Sequence, residues 1–293
     1  PDATAAAFRI AAGEVFGVDP EWILCGNGSD DILTILTRAM VGEGELLRLP
    51  TPSYILYKTL ACIQGANSEE VPLDANWQPT PQFYESTPGL KLAFLPNPNS
   101  PSGTIVPRET ILQLADALPC PLLVDEAYAD FAEFNCIDLV RENEKIMVSR
   151  TLSKGYGLAG LRFGFLIAQP QIISELHKVR DSYNCDSLAI AGATAAISDQ
   201  GWLVQNRNKV IATRTRLQEE LAKLGFHVTP SHANFVWATH ADRPLEPIYE
   251  GLKSNKILVR YMSYDGWGDG LRITVGTDDQ NEAYLSVLHS ILD

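Results

Sequence analysis

Short apolar runs alternate with longer stretches in which apolar residues recur every three or four positions, and this rhythm holds for most of the chain. The runs at 23–25, 46–49, 91–95, 122–124, 146–149 and 163–168 are short and aliphatic, so they predict buried strands. Between them the spacing predicts helices at 29–40, 53–63, 108–118 and 171–180. Such alternation predicts an α/β unit built on a mostly parallel sheet. Ser29 stands where it can cap the helix 29–40, with Asp30 and Asp31 in the first turn, where negative charge complements the helix dipole.

Past about residue 187 the texture changes. A small-residue helix at 189–198 and a long one at 202–224 precede short strands at 226–229, 234–238, 257–260 and 271–275, with a closing helix at 279–292. That order predicts two domains, a large α/β domain over 1–196 and a smaller α+β domain over 197–293.

Composition adds little beyond a water-soluble chain. It has 293 residues, 45% hydrophobic and 20% charged, and no apolar run approaches the roughly 18 residues that a membrane span needs. No signal-peptide pattern opens the chain. A net charge of −13 argues against nucleic acid or an anionic membrane as partner, while a few arginines can still make a cationic pocket. Five cysteines without a CxxC pair predict reduced, mostly buried thiols in a cytoplasmic protein. The histidines (His177, His227, His232, His240, His289) lack ligand spacing, so no catalytic metal is expected.

The chemistry concentrates in a few strand exits. In Ser149-Arg-Thr-Leu-Ser-Lys-Gly-Tyr-Gly-Leu-Ala-Gly-Leu-Arg162, a lysine follows a strand and is flanked by a hydroxyl and small residues, with an arginine eight positions on. By itself Lys154 is an ordinary solvated loop residue. Together with Ser153 and Arg162 it suits a phosphate-bearing aldehyde, which needs an amine for an imine and donors for its dianion. Gly26-Asn-Gly-Ser-Asp30 opens a helix after a strand, where glycines admit a phosphate to free N–H groups, although a plain capped turn has the same composition. Leu122-Leu-Val-Asp-Glu-Ala-Tyr128 ends a buried strand in a carboxylate. Asp125 there can keep a pyridine nitrogen protonated, and Tyr128 can bond the ring's phenolic oxygen. An Asp-Glu pair also suits a magnesium site, but the phosphate-loop lysine motif is missing. Pro96-Asn-Pro-Asn-Ser-Pro-Ser-Gly103 reads as turn chemistry, Tyr54 can stack on a flat ring, and Arg272 on an alternating strand can clamp a carboxylate.

These runs, collinear over essentially the whole chain, resemble fold-type I pyridoxal-phosphate-dependent aminotransferases, and within them the histidinol-phosphate aminotransferases. The resemblance implies a seven-stranded, mostly parallel sheet with a smaller C-terminal α+β domain. It implies pyridoxal 5'-phosphate on Lys154 as a Schiff base, Asp125 at the pyridine nitrogen, Tyr128 at the ring oxygen and Tyr54 stacked on the ring. Ser153, Arg162 and the backbone at Gly28 and Ser29 would hold the phosphate. Arg272 would take the carboxylate of the amino donor or 2-oxo acid, and Arg260 the substrate's phosphate. One position departs from the family: where it has an asparagine for the ring oxygen, this chain has Ser100, preceded by Asn99, and either is a candidate. The family also carries an N-terminal arm reaching the partner subunit's site, and this chain begins where that arm would end. A homodimer is implied.

The expected reaction is transamination between L-histidinol phosphate and 2-oxoglutarate, giving imidazole acetol phosphate and glutamate in histidine biosynthesis. Alternatives on the same scaffold are an aromatic or other amino-acid aminotransferase and a phospho-amino-acid decarboxylase. The alternative outside catalysis is an inactive cofactor-binding module.

Overall fold

The computed structural model describes residues 2–292. Seven strands, β1 (Ile23–Gly26), β2 (Leu46–Thr51), β3 (Asn67–Pro72), β4 (Leu90–Pro96), β5 (Leu122–Asp125), β6 (Ile146–Thr151) and β7 (Gly164–Ile167), form one sheet in the order β1-β7-β6-β5-β4-β2-β3. Strands β2 to β6 run parallel, and β7 is antiparallel to both of its neighbours. Both faces are covered, which explains why the strands read as unbroken apolar runs. Along β5, Leu122 and Val124 enter one core with Phe8, Val148 and Phe165, while Leu123 enters the other with Tyr57, Phe94 and Met147. Each such aliphatic side chain, fully buried, stabilises the fold by roughly 2 kcal/mol. The polar residues that end β5 and β6 therefore sit at the carboxyl edge of a rigid platform, where open α/β sheets hold ligands.

A second sheet is antiparallel, in the order β10-β11-β9-β8, from β8 (His227–Val228), β9 (Phe235–Thr239), β10 (Arg260–Tyr264) and β11 (Gly268–Thr274). One face packs on the helices Gln200–Lys223, Leu245–Ser254 and Asp278–Leu292 through Leu217, Val236, Leu252, Leu271 and Leu288. The other turns Trp237 toward Leu73 and Trp77.

Several elements differ from expectation. The polar edge strand β3, the helix Ala6–Phe16 and the helix Leu245–Ser254 were not anticipated. The strand expected at 257–260 begins only at Arg260. Lys256 takes a left-handed φ of 63°, and Ile257 donates its N–H to Leu252 O, so the chain is still closing the preceding helix there. The helix expected from residue 53 starts at Leu56, because a bend follows Pro52. The one expected from 171 to 180 spans Pro170–Leu176. Ser29 does not cap its helix: Gly28 holds the cap position, and no side chain fills that end.

Candidate active site

The strand exits and β11 converge on a cleft of ≈ 280 Å³. At its floor is Asp125, the last residue of β5 and 5% exposed. Tyr57 donates its phenol to Oδ2 at 2.7 Å, Ser149 donates its hydroxyl to Oδ1 at 3.1 Å, and the Ala127 N–H reaches Oδ1 at 3.2 Å. Burial pushes the Asp125 carboxyl above its ordinary value, and these three donors pull it part of the way back. Burial and the nearby Asp125 carboxylate push the Tyr57 phenol well up, so Tyr57 remains a donor. A buried carboxylate with hydrogen bonds and, among the described residues, no cationic partner is suited to a protonated ring nitrogen.

Lys154 lies in the turn after β6, and its ammonium stands 5.3 Å from the centre of the Tyr128 ring. No carboxylate pairs with it among the described residues. Tyr128 is held edge-on against Phe235 of β9, with centroids 4.9 Å apart. Tyr54 also lines the cleft, edge-on to Tyr57, and its phenol is pushed up to about 12 by burial and by Asp30.

The far end of the cleft is an anion cup. Gly28 adopts φ 90° at the start of the helix Ser29–Met40, whose uncapped first turn has N–H groups with no helical partner. A Cβ on Gly28 would lie 2.7 Å from Arg162 Nη2, so the missing side chain is what lets the guanidinium close over the turn. Ser153 and Thr151 line the same end, with their hydroxyls 3.0 Å apart. Arg162 itself meets Asp30 only loosely, at 3.7 Å. Amine, aromatic walls, buried carboxylate and anion cup thus fit a flat, protonated heterocycle bearing an aldehyde and a phosphate.

Arg272 of β11 also lines the cleft and extends from the second sheet over the Phe235 ring, 5.0 Å from its centre. Its Nη1 donates to Ser100 Oγ at 2.7 Å. Of the two candidates at this turn, Ser100 lines the cleft and Asn99 does not. The Asn99 Nδ2 donates to Pro52 O and Ser102 Oγ, and its Oδ1 is buried without a partner. Arg260 is exposed and outside the cleft lining, but it is the direct partner of Arg272 across β10 and β11. Two like charges opposite each other repel, and an anion lying between them would relieve that repulsion. Sequence reasoning missed Tyr57, Thr151 and Asp30. Tyr57 sits at helical spacing among Leu60 and Ala61 and reads as ordinary core.

Known proteins resemble this chain along nearly its whole length. The family described as Aminotransferase class I and II matches residues 1–288. The histidinol-phosphate aminotransferase of Rhodopirellula baltica is 58% identical over 98% of this chain and 80% of its own length. Histidinol-phosphate aminotransferase 1 of Trichormus variabilis is 44% identical over 100% of the chain and 83% of that protein. The crystal structure of histidinol-phosphate aminotransferase from Sinorhizobium meliloti in complex with pyridoxal-5'-phosphate superposes with a TM-score of 0.92, covering 100% of this chain and 82% of that one at 24% identity. The cleft with its lone lysine and buried carboxylate, and the match along nearly every residue, lead to one conclusion: the chain belongs to the class I and II aminotransferases.

Proposed function

We propose that the protein is a pyridoxal-phosphate-dependent transaminase that converts L-histidinol phosphate and 2-oxoglutarate into imidazole acetol phosphate and glutamate, a step of histidine biosynthesis. The observation that carries the choice of substrate is the 58% identity to a histidinol-phosphate aminotransferase over 98% of the chain. The geometry supports the chemistry. When bound, pyridoxal phosphate supplies an electron-withdrawing ring that accepts the electron pair left when the substrate α-carbon loses its proton. Lys154 would hold the cofactor covalently, and its amine, when free, would take the substrate's α-proton as general base and deliver it to a different carbon as general acid. Asp125, fixed by Tyr57 and Ser149, keeps the ring nitrogen protonated. Tyr128 and Ser100 face the ring oxygen, and Tyr54 covers the ring. Ser153, Arg162 and the backbone of Gly28 and Ser29 hold the cofactor's phosphate. Arg272, braced by Ser100, takes the carboxylate of the 2-oxo acid or its amino product, and Arg260 beside it takes the phosphate of histidinol phosphate.

The same reading includes a division at 196/197 into two domains, each with its own sheet, and a homodimer in the cytoplasm. Exposed apolar side chains such as Leu188 and Trp202 support a subunit contact, and the five unpaired cysteines suit a reducing compartment.

Purified protein mixed with pyridoxal phosphate should gain a visible absorption band that Lys154→Ala lacks, and should aminate 2-oxoglutarate with histidinol phosphate as donor. A protein that stays colourless sinks the cofactor assignment. Turnover of phenylalanine or tyrosine in preference to histidinol phosphate sinks the substrate assignment.

A further inference from the structure

Behind the cleft lies a second charged cluster that the proposed chemistry does not use. Arg150 of β6 is buried, with its side chain 7% exposed, and its Nη1 is 3.0 Å from Glu126 Oε2 while its Nη2 meets Asp130 Oδ1. The two carboxylates are 0% and 4% exposed. Side chains alternate across a strand, so Ser149 bonds Asp125 and Thr151 lines the cleft, while Arg150 points to the opposite face, over the ring of Phe16. In the same way Glu126 turns away from the cleft that its neighbour Asp125 floors.

Each member of this triad is covalently close to a residue of the site. Glu126 follows Asp125, Asp130 lies two residues past Tyr128, and Arg150 begins the run that reaches Lys154. Asp130 also touches the lysine turn directly. A Cβ built on Gly155 would come 2.3 Å from Asp130 Oδ2 and 2.7 Å from its Cγ. The carboxylate cannot simply swing aside, because its other oxygen is held by Arg150. The turn itself is closed by the Gly157 N–H bonding to Lys154 O at 3.1 Å. The segment bearing Lys154 therefore rests on a carboxylate whose place is fixed from behind.

Stability alone is a poor reason for such a cluster. Burying two carboxylates and a guanidinium carries a large desolvation cost, and well-packed apolar replacements of buried ion pairs are often neutral or stabilising. What directional charge pairs supply, and apolar contacts do not, is a single fixed geometry. We propose that Asp130, clamped by Arg150, is a positioning residue that seats Gly155 and so sets the place of the Lys154 amine over Tyr128. This inference rests on the assignment of Lys154 as the covalent anchor.

The test compares Asp130→Asn, Asp130→Ala, Gly155→Ala and the double variant Gly155→Ala/Asp130→Ala with wild type and Lys154→Ala. Three quantities are read: the rate at which cofactor-free protein takes up pyridoxal phosphate, the visible circular dichroism of the bound cofactor, and kcat against KM. Asp130→Ala and Gly155→Ala should slow uptake, alter the visible dichroism and lower kcat by about a hundredfold with KM little changed, as expected of a misplacement near 1 Å. In the double variant the Gly155→Ala effect should shrink, because the atoms it collides with are gone. Asp130→Asn, which preserves shape, should be the mildest, and it decides with Gly155→Ala if Asp130→Ala does not fold. Variants that melt at lower temperature yet match wild type within about twofold in uptake, dichroism and kcat would overturn the proposal. A wild-type protein without a lysine-dependent band overturns the assignment of Lys154 instead, so the two failures are distinguishable.

Discussion

Asp125 is held at the floor of the cleft at a cost to the fold. Its carboxyl is raised by burial, so between the ordinary carboxylate range and its raised native value the folded state holds more protons than the unfolded state. Its contribution to stability therefore falls as pH rises through that window. Cofactor-free Asp125→Asn, which keeps partners for Tyr57 and Ser149, should become more stable relative to wild type as urea unfolding is moved from pH 4 to pH 7. A constant difference would contradict this account. The same variant should lose at least about a hundredfold in transamination, because a neutral amide does not hold the ring nitrogen protonated. Lys154, Asp125, Arg162 and Arg272, which line one cleft, stood out in the sequence for different reasons: Asp125 ends an apolar strand, Lys154 and Arg162 are eight positions apart in one small-residue run, and Arg272 alternates with apolar neighbours. Tyr57 was not legible: its polar role appears only when Asp125, 68 positions later, is placed against its hydroxyl. The choice between Ser100 and Asn99 was likewise undecidable from spacing, since it depends on how the turn directs neighbouring side chains.

At the scale of elements, the anion cup depends on a strand-to-helix turn that only glycine closes well. Gly28→Ala would place a Cβ at φ 90°, costing about 1–3 kcal/mol of backbone strain, and would press on Arg162. Equilibrium dialysis of pyridoxal phosphate should show affinity reduced by about tenfold or more, with far less effect on pyridoxal, which lacks the phosphate. Equal losses for both ligands would place the phosphate elsewhere. The core strands of the first sheet were readable because burial on both faces leaves continuous apolar runs. The edge strand β3 escaped because one of its few inward residues is a glutamate, Glu69, which serves the buried Arg48 rather than an apolar core. The start of β10 shifted because an apolar Ile257 reads equally well as a strand residue or as the contact that ends a helix.

For the whole molecule, polar links join the two sheets near the site, and one of them, through Arg214, is buried. Arg214, on the helix Gln200–Lys223, donates Nη1 to Ala233 O at 2.8 Å and to Phe131 O at 3.3 Å, tying the turn past Tyr128 to the loop before β9. Burial pushes its guanidinium below the usual arginine value, and no carboxylate contacts it among the described residues. Arg214→Met would leave both carbonyls without this donor and should lower stability by about 2 kcal/mol, measured by urea unfolding. An unchanged midpoint would show that other groups or water satisfy them. The two-sheet plan was visible in the sequence as a change of texture, whereas links such as this one span separations that no local pattern encodes.

The bond between Ser100 and Arg272 bridges 172 positions, whereas the residues assigned to the cofactor all precede Ile167, where the first sheet ends. On the ribosome, Lys154, Asp125 and the Gly28 turn, proposed to hold the cofactor, are thus all synthesised before Arg272, proposed to take the substrate's carboxylate. Domains tend to fold in the order they emerge. On the proposed assignment, a nascent chain is equipped to capture its cofactor before it is able to recognise what it will act upon.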